Sequence, residues 1–373
     1  MDTVTLKARG ISVSLDTTVG HIADMVVEDG GVVEDGGRQL RPLHRAPWVG
    51  APRDTLPADL PEGTVRLSGD FLCAPFSRSD VEEAPLHGWS ANSAWDVTQS
   101  SALDGGWRAV FRLRRKVMGA TVDKILTLRD GHAFLYQEHV FSGGHGAISV
   151  AHHPMTAMTD GGRLAFSPKR FAASPADPLE PDPKRGRFLL AYPGRTSDLG
   201  HFPAAGGGTL DLTDYRMDDR REDFVTLVEA DHGGPGWTAL ARRAEDDLVL
   251  VLKNPAELPV TMLWFSNGGR DYAPWSGRHL GVLGIEDGRT AIGHAASIGD
   301  NWLTREGVAT AFALGEGPSV SFRHVIGALP LSGGEPPQEV TTADGRMRLL
   351  GGGSAREVPF DSDFLRIGQA AAG

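Results

Sequence analysis

The chain has 373 residues, with 37 basic and 48 acidic side chains and a formal charge of −11. At roughly 150 residues per domain that length permits two or three small domains or one large all-β domain. The acidic balance disfavours a nucleic-acid partner, which demands a basic face, and the single cysteine, Cys73, excludes both an intrachain disulfide framework and a cysteine-based zinc site. The start, Met1-Asp2-Thr3-Val4, has no basic stretch before an apolar core, and no uncharged apolar run reaches the ~18 residues of a membrane span. The expectation is a soluble, cytoplasmic protein without a membrane partner.

In chain order, short β-rich runs follow one another between turns rich in Gly, Asp and Asn. They are Ile11 to Leu15, Trp107 to Leu113, Thr121 to Leu128, Ala133 to Val140, Phe224 to Val228, Leu248 to Leu252, Val260 to Phe265 and Ser319 to Val325. The 48 glycines and 24 prolines carry no Gly-x-y period and no low-complexity tract, so they punctuate a folded chain. Only Thr238 to Glu245 offers more than one helical turn, bounded before it by Gly233-Gly234-Pro235-Gly236. The class is all-β, and the strand number implies two large packed antiparallel sheets. No repeat of 40 to 50 residues suggests a propeller. The Pro-rich segment 168–183 reads as a loop within one domain spanning 1–373, because the same alternation runs on both sides of it.

The most informative stretch is Pro85-Leu86-His87-Gly88-Trp89-Ser90-Ala91-Asn92-Ser93-Ala94-Trp95. An imidazole beside flat apolar rings can grip the apolar side of a pyranose while bonding its hydroxyls. The segment resembles the His-Gly-aromatic-x-x-Asn motif of the aldose 1-epimerase, or galactose mutarotase-like, superfamily. The upstream Gly69-Asp70-Phe71-Leu72-Cys73-Ala74-Pro75-Phe76 is similar to the Gly-rich strand that precedes the motif there. Ser149-Val150-Ala151-His152-His153-Pro154-Met155 resembles the strand ending in the family's second catalytic His, and Leu280-Gly281-Val282-Leu283-Gly284-Ile285-Glu286-Asp287 the strand that delivers its catalytic Glu. Together these pieces span most of the chain, from about Leu40 to His324.

The resemblance implies a large antiparallel supersandwich and a cofactor-independent epimerase for a monosaccharide or related sugar, acting as a monomer or homodimer. Interconverting anomers needs one group to take the C1 hydroxyl proton and another to protonate the ring oxygen. The resemblance assigns Glu286 as base, His153 as acid and His87 as a hydrogen-bonding partner, and requires neither a cofactor nor a metal. His152 and His153 are adjacent, so on a strand they face opposite sides and only one enters a given pocket. Pro154 favours His153, with His152 kept as a substrate-side alternative. The pair could also be half of a metal site, but ligands on one strand would want i, i+2 spacing to share a face.

Ala91 stands where the sugar-phosphate branch of the family tends to carry Arg, which disfavours a phosphorylated substrate. Further substrate-binding candidates are Arg45, Arg78, Trp89, Asn92, Asp271 and Trp275, with Asp231 as another possible position for the sugar-binding Asp. The polar loop Ser266-Asn267-Gly268-Gly269-Arg270-Asp271-Tyr272 precedes the Glu286 strand, a sensible place for substrate contacts. Cys73 reads as an inert buried thiol. Two other readings stay open: a non-catalytic carbohydrate-binding or sugar-sensing protein on the same fold, and a polysaccharide-lyase-like enzyme, the latter poorly supported by only four tyrosines.

Overall fold

The computed structural model describes residues 3–28, 38–331, 334–351 and 353–367. Every strand ladder among them is antiparallel. One large sheet carries nine strands in the order Asp214–Tyr215, Gly162–Phe166, Gly236–Arg242, Asp247–Lys253, Val320–Pro330, Phe134–Ser142, Thr121–Arg129, Gly106–Leu113 and Trp95–Leu103. The second runs Arg195–Thr196, Lys169–Ala173, Arg221–Glu229, Val260–Asn267, Val282–Arg289, Val150–His152 and Leu72–Cys73, with Met155–Ala157 joined to Val282–Arg289. No helix among the described residues is long and apolar enough to cross a membrane.

The two sheets pack face to face as a β-sandwich. Val249 and Val251 of the first meet Val225, Leu227, Leu263, Phe265, Leu283 and Ile285 of the second in a fully buried core. The second sheet is covered on its other face too, where Phe224, Val228, Met262, Trp264 and Val282 pack against Trp48, Phe71, Phe76 and Leu303 from the loops. Burial on both faces explains why these strands read as continuous apolar runs. A four-stranded N-terminal sheet, beginning with Thr3–Ala8 and Ile11–Asp16, extends the inner layer, and a C-terminal meander, Glu339–Ala343, Arg346–Gly351 and Ser354–Pro359, covers the far face of the nine-stranded sheet.

All eight strand expectations fall on observed strands. The one helical expectation does not: Gly236–Arg242 is a strand paired along its whole length with Asp247–Lys253, and the residues after it form the hairpin turn. Trp237, Ala239 and Ala241 pack into one core while Leu240 packs into the other, so the period-two signal is lost. The Pro-rich loop also starts later than expected. Lys169–Ala173 pairs with Arg221–Glu229 in the second sheet, and the irregular stretch starts only at Ser174.

Candidate active site

The second sheet's outward face carries the candidate chemistry because of strand register. Met262 lies opposite Glu286 and Trp264 opposite Gly284, so Glu286 and the Trp264 ring project from one face while Ile285 and Asp287 project from the other. Gly284 leaves room here for the carboxyl: a Cβ at that position would meet Glu286 Oε1 at 2.7 Å. His153, one residue beyond Val150–His152, brings Nε2 to 3.2 Å from Glu286 Oε1. Phe71 stacks on the His153 ring at 4.5 Å and 19°, and His21 stacks on Phe71's ring at 4.4 Å. Gly88 lies at φ 75°, and a Cβ there would sit 2.0 Å from the Ala74 carbonyl oxygen, so the His-Gly pair is needed where the loop folds onto the Leu72–Cys73 strand.

His87 itself adopts φ 66°. Its Nδ1 accepts from the Ser77 backbone N–H at 3.4 Å and touches Cys73 Sγ at 3.2 Å, which places the neutral ring's proton on Nε2. The His87 ring centroid is 5.3 Å from that of His153. These groups line a cavity of about 280 Å³ together with Phe71, Phe76, Phe224, Trp264, Trp275 and Arg270. Its apolar walls shift Glu286, His153 and His87 towards neutrality. Burial pushes the Glu286 carboxyl well up, lowers His153 to about 4 and drives His87 well down, the last helped by neighbouring His153, His21 and Arg270. Burial therefore favours a protonated Glu286 carboxyl beside a neutral His153 imidazole.

Arg270, in the polar loop ahead of the Glu286 strand, adds a cation to the cavity that no motif in the sequence marks. Its guanidinium lies 4.3 Å from the Trp275 ring centroid and pairs with Glu222 at 3.1 Å. Glu222 also accepts from Trp264 Nε1 and Ser266 Oγ. Behind Trp264, Ser266 bonds His279 Nδ1 at 2.8 Å, and His279 bonds His44 between their Nε2 atoms at 3.0 Å. Glu222 sits in a strand buried at every position, where its sequence gave no signal.

The candidates divide cleanly. His87, Asn92, His153, Trp275 and Glu286 line the cavity. Asn92 is committed to structure: its side chain accepts from Gly63 N–H at 2.8 Å and donates to the carbonyls of Leu86 and Gly88. Arg45 and Arg78 are exposed and outside the lining, Arg45 bonding the Val49 carbonyl and Arg78 sitting where its own carbonyl takes His294 N–H. Trp89 packs half-buried against the core under the N-terminal sheet, beneath Arg115. Asp271 is exposed and outside the lining: it pairs with Arg187 at 2.7 Å, tying the segment after the Pro-rich loop to the Arg270 loop. Asp231 is exposed in a turn away from the cavity. Leu179 of the Pro-rich loop reaches the cavity wall.

His152 points the other way, as strand alternation requires, and lies between the sheets. Its Nδ1 is 3.2 Å from Asp70 Oδ2, and its ring stacks on His324 at 4.0 Å and 12°. Asp70, His152 and His324 place one donor-type atom each within 4.8 Å of one another. Near-parallel rings send their in-plane lone pairs side by side instead of towards one ion, so this trio is a poor cage for tetrahedral zinc.

No protein-family model matches the chain, and no curated protein does. Solved structures do. A proposed aldose 1-epimerase of Escherichia coli K12 superposes with a TM-score of 0.56 at 15% identity, covering 88% of this chain and 99% of its own. A galactose mutarotase-like protein of Clostridium acetobutylicum gives 0.53 at 11% identity, covering 88% and 95%. A proposed mutarotase of Salmonella typhimurium gives 0.52 at 11%, covering 88% and 90%. At such identities the likeness establishes a galactose mutarotase-like fold.

Proposed function

We propose that the protein is a cofactor-independent aldose 1-epimerase acting on a free monosaccharide. The observation that carries this reading is the Glu286–His153 contact of 3.2 Å, buried at the wall of a cavity faced by Phe71, Trp264 and Trp275. Aromatic faces of this kind stack on the apolar side of a sugar ring. A cavity of about 280 Å³ suits one sugar unit better than a polymer chain.

The reaction needs one proton removed and one supplied. Passage of the carboxyl proton from Glu286 to His153, 3.2 Å away, gives a carboxylate and an imidazolium. The carboxylate takes the proton from the C1 hydroxyl, the C1–ring-oxygen bond breaks to leave an aldehyde, and His153 protonates the departing ring oxygen. Rotation about C1–C2 and the reverse steps close the ring on its other face and restore both groups. His87, neutral with its proton on Nε2, donates to a sugar oxygen without competing as an acid. Arg270 and Glu222 cancel each other's charge, so the pocket offers hydroxyl contacts with no surplus positive charge for a phosphate.

Exchange NMR across a panel of free aldoses and uronic acids tests the reading. Accelerated anomer exchange for at least one sugar is the expected result. Binding throughout the panel with no acceleration would replace the enzyme with a sugar sensor.

A further inference from the structure

At three strands or their ends, two consecutive residues point to opposite faces of the second sheet: Asp70-Phe71 before Leu72–Cys73, His152-His153 at the end of Val150–His152, and Glu286-Asp287 within Val282–Arg289. The outward members build the cavity, and the inward ones are buried between the sheets. There Asp70 meets Gln137 and His152, Asp287 meets Lys253 and His324, and Glu229 meets Lys169 and Lys253. Lys124, fully buried, faces Asp70 and keeps a pKa of about 8. Asp70, Asp287 and Glu229 thus lie among Lys124, Lys253 and Lys169, and burial drives the neighbouring His139 and His152 towards the neutral form.

Asp70 is the member that touches the cavity's chemistry. Its Oδ1 accepts the backbone N–H of His153 at 2.9 Å, while Oδ2 accepts Gln137 Nε2 at 2.6 Å and faces His152 Nδ1. The next residue, Phe71, supplies the ring stacked on His153, and its carbonyl also accepts His153 N–H, at 3.0 Å. The groups around the His153 ring are Glu286, His87, Arg270 and His279 on the cavity side, with His21 behind Phe71. Arg270 is matched by Glu222 and burial keeps the Glu286 carboxyl protonated, so Asp70 is the anion that acts on the imidazole.

We propose that Asp70 is a positioning residue for the acid–base pair, holding the His153 backbone from the hidden side of the sheet and favouring, by its charge, the imidazolium–carboxylate form over the neutral one. The inference rests on the epimerase reading for its purpose but not for its test. Burial drives His153 down, and Asp70 is among the groups that oppose the drop. Although burial works against its ionisation, His152, His324 and the Gln137 amide hold the Asp70 carboxyl well below the usual range, so the charge persists at neutral pH.

Asp70→Asn isolates that charge. Asn keeps an oxygen for His153 N–H, and Gln137, whose Oε1 is unpartnered, can turn its amide to accept from the new NH₂ group. The His153 imidazole is titrated by NMR in sugar-free protein. Asp70→Asn should move its transition to lower pH by at least ~0.5 unit, while His152→Gln, which leaves the Asp70 charge in place, should move it less. Turnover should fall about tenfold at unchanged KM. An unmoved His153 transition in folded Asp70→Asn overturns the proposal. If that variant does not fold, Lys124→Met, which removes the cation facing Asp70, must move the transition upward, and its failure to do so is equally fatal. A shifted titration without anomer exchange in the parent protein upholds the electrostatic role of Asp70 and removes the epimerase reading.

Discussion

Replacing Glu286 by Gln separates the proposed chemistry from the architecture that holds it. The carboxyl is buried, with Oε1 against His153 and Oε2 without a partner. An amide of the same volume therefore preserves packing, cavity shape and sugar binding. Loss of a general base costs ~10²- to 10⁴-fold in rate, equivalent to about 3–5 kcal/mol of barrier. Stability should move the opposite way. Burial raises the folded carboxyl's pKa, so its contribution is fully present below the unfolded value of about 4.3 and is lost as pH climbs towards the raised one. Gln has no proton to lose. The variant should therefore melt above the parent by a margin that widens between pH 5 and pH 8. Anomer exchange by NMR and paired thermal melts read both effects. Exchange at the parent rate would refute Glu286 as base, and a melting difference independent of pH would refute its raised pKa.

The two adjacent histidines should part company: His153→Ala abolishes exchange with a small change in Tm, whereas His152→Ala strands Asp70 and opens a void between the sheets, costing about 3 kcal/mol in a chemical melt. Gly284→Ala should cut exchange at least ~10-fold, since its Cβ would occupy space 2.7 Å from Glu286 Oε1; parent-level exchange would show that the carboxylate has room to shift. Glucose and galactose should exchange faster than their 6-phosphates, because Glu222 already satisfies Arg270, and a clear preference for either ester would sink that argument. Asp271→Ala should leave exchange within a few-fold of the parent, as expected for an exposed ion pair of ~0–1 kcal/mol; a rate loss as large as that of Glu286→Gln would make it a sugar ligand after all.

The sheets were legible because strand periodicity and turn residues are local signals. The failure at Gly236–Arg242 has the same origin: with both faces buried, Ala239, Leu240 and Ala241 alternate between two apolar cores and the chain shows no polar side. Within the cavity, His87, His153 and Glu286 could be placed through motifs of contiguous residues. Arg270 and Glu222 could not, because they meet only across neighbouring strands and a loop, and a cation recruited from a loop leaves no spacing to read. Arg45, Arg78 and Asp271 show the converse pattern. Charges in turns near a motif are close in sequence, yet these three lie outside the cavity, with Arg45 bonded to a loop carbonyl and Asp271 paired with Arg187.

The adjacency of His152 and His153 was visible in the sequence as a choice of which one enters the pocket, but the structure gives both faces consequences. A strand whose outward residue lines the cavity must still satisfy its inward neighbour, and between two packed sheets there is no water to do so. Here the inward neighbours of Phe71, His153 and Glu286 are all polar: Asp70, His152 and Asp287. Apolar residues at those positions would pack more cheaply against Ile326 and Phe322. Retaining polar groups makes sense if one of them acts through the sheet, and Asp70 alone of the three accepts a hydrogen bond from the backbone of a cavity residue, His153. The Asp70 carboxylate is thus the point where the interior charge pattern can bias the protonation of the cavity pair, with His152 and the Gln137 amide bonded to it.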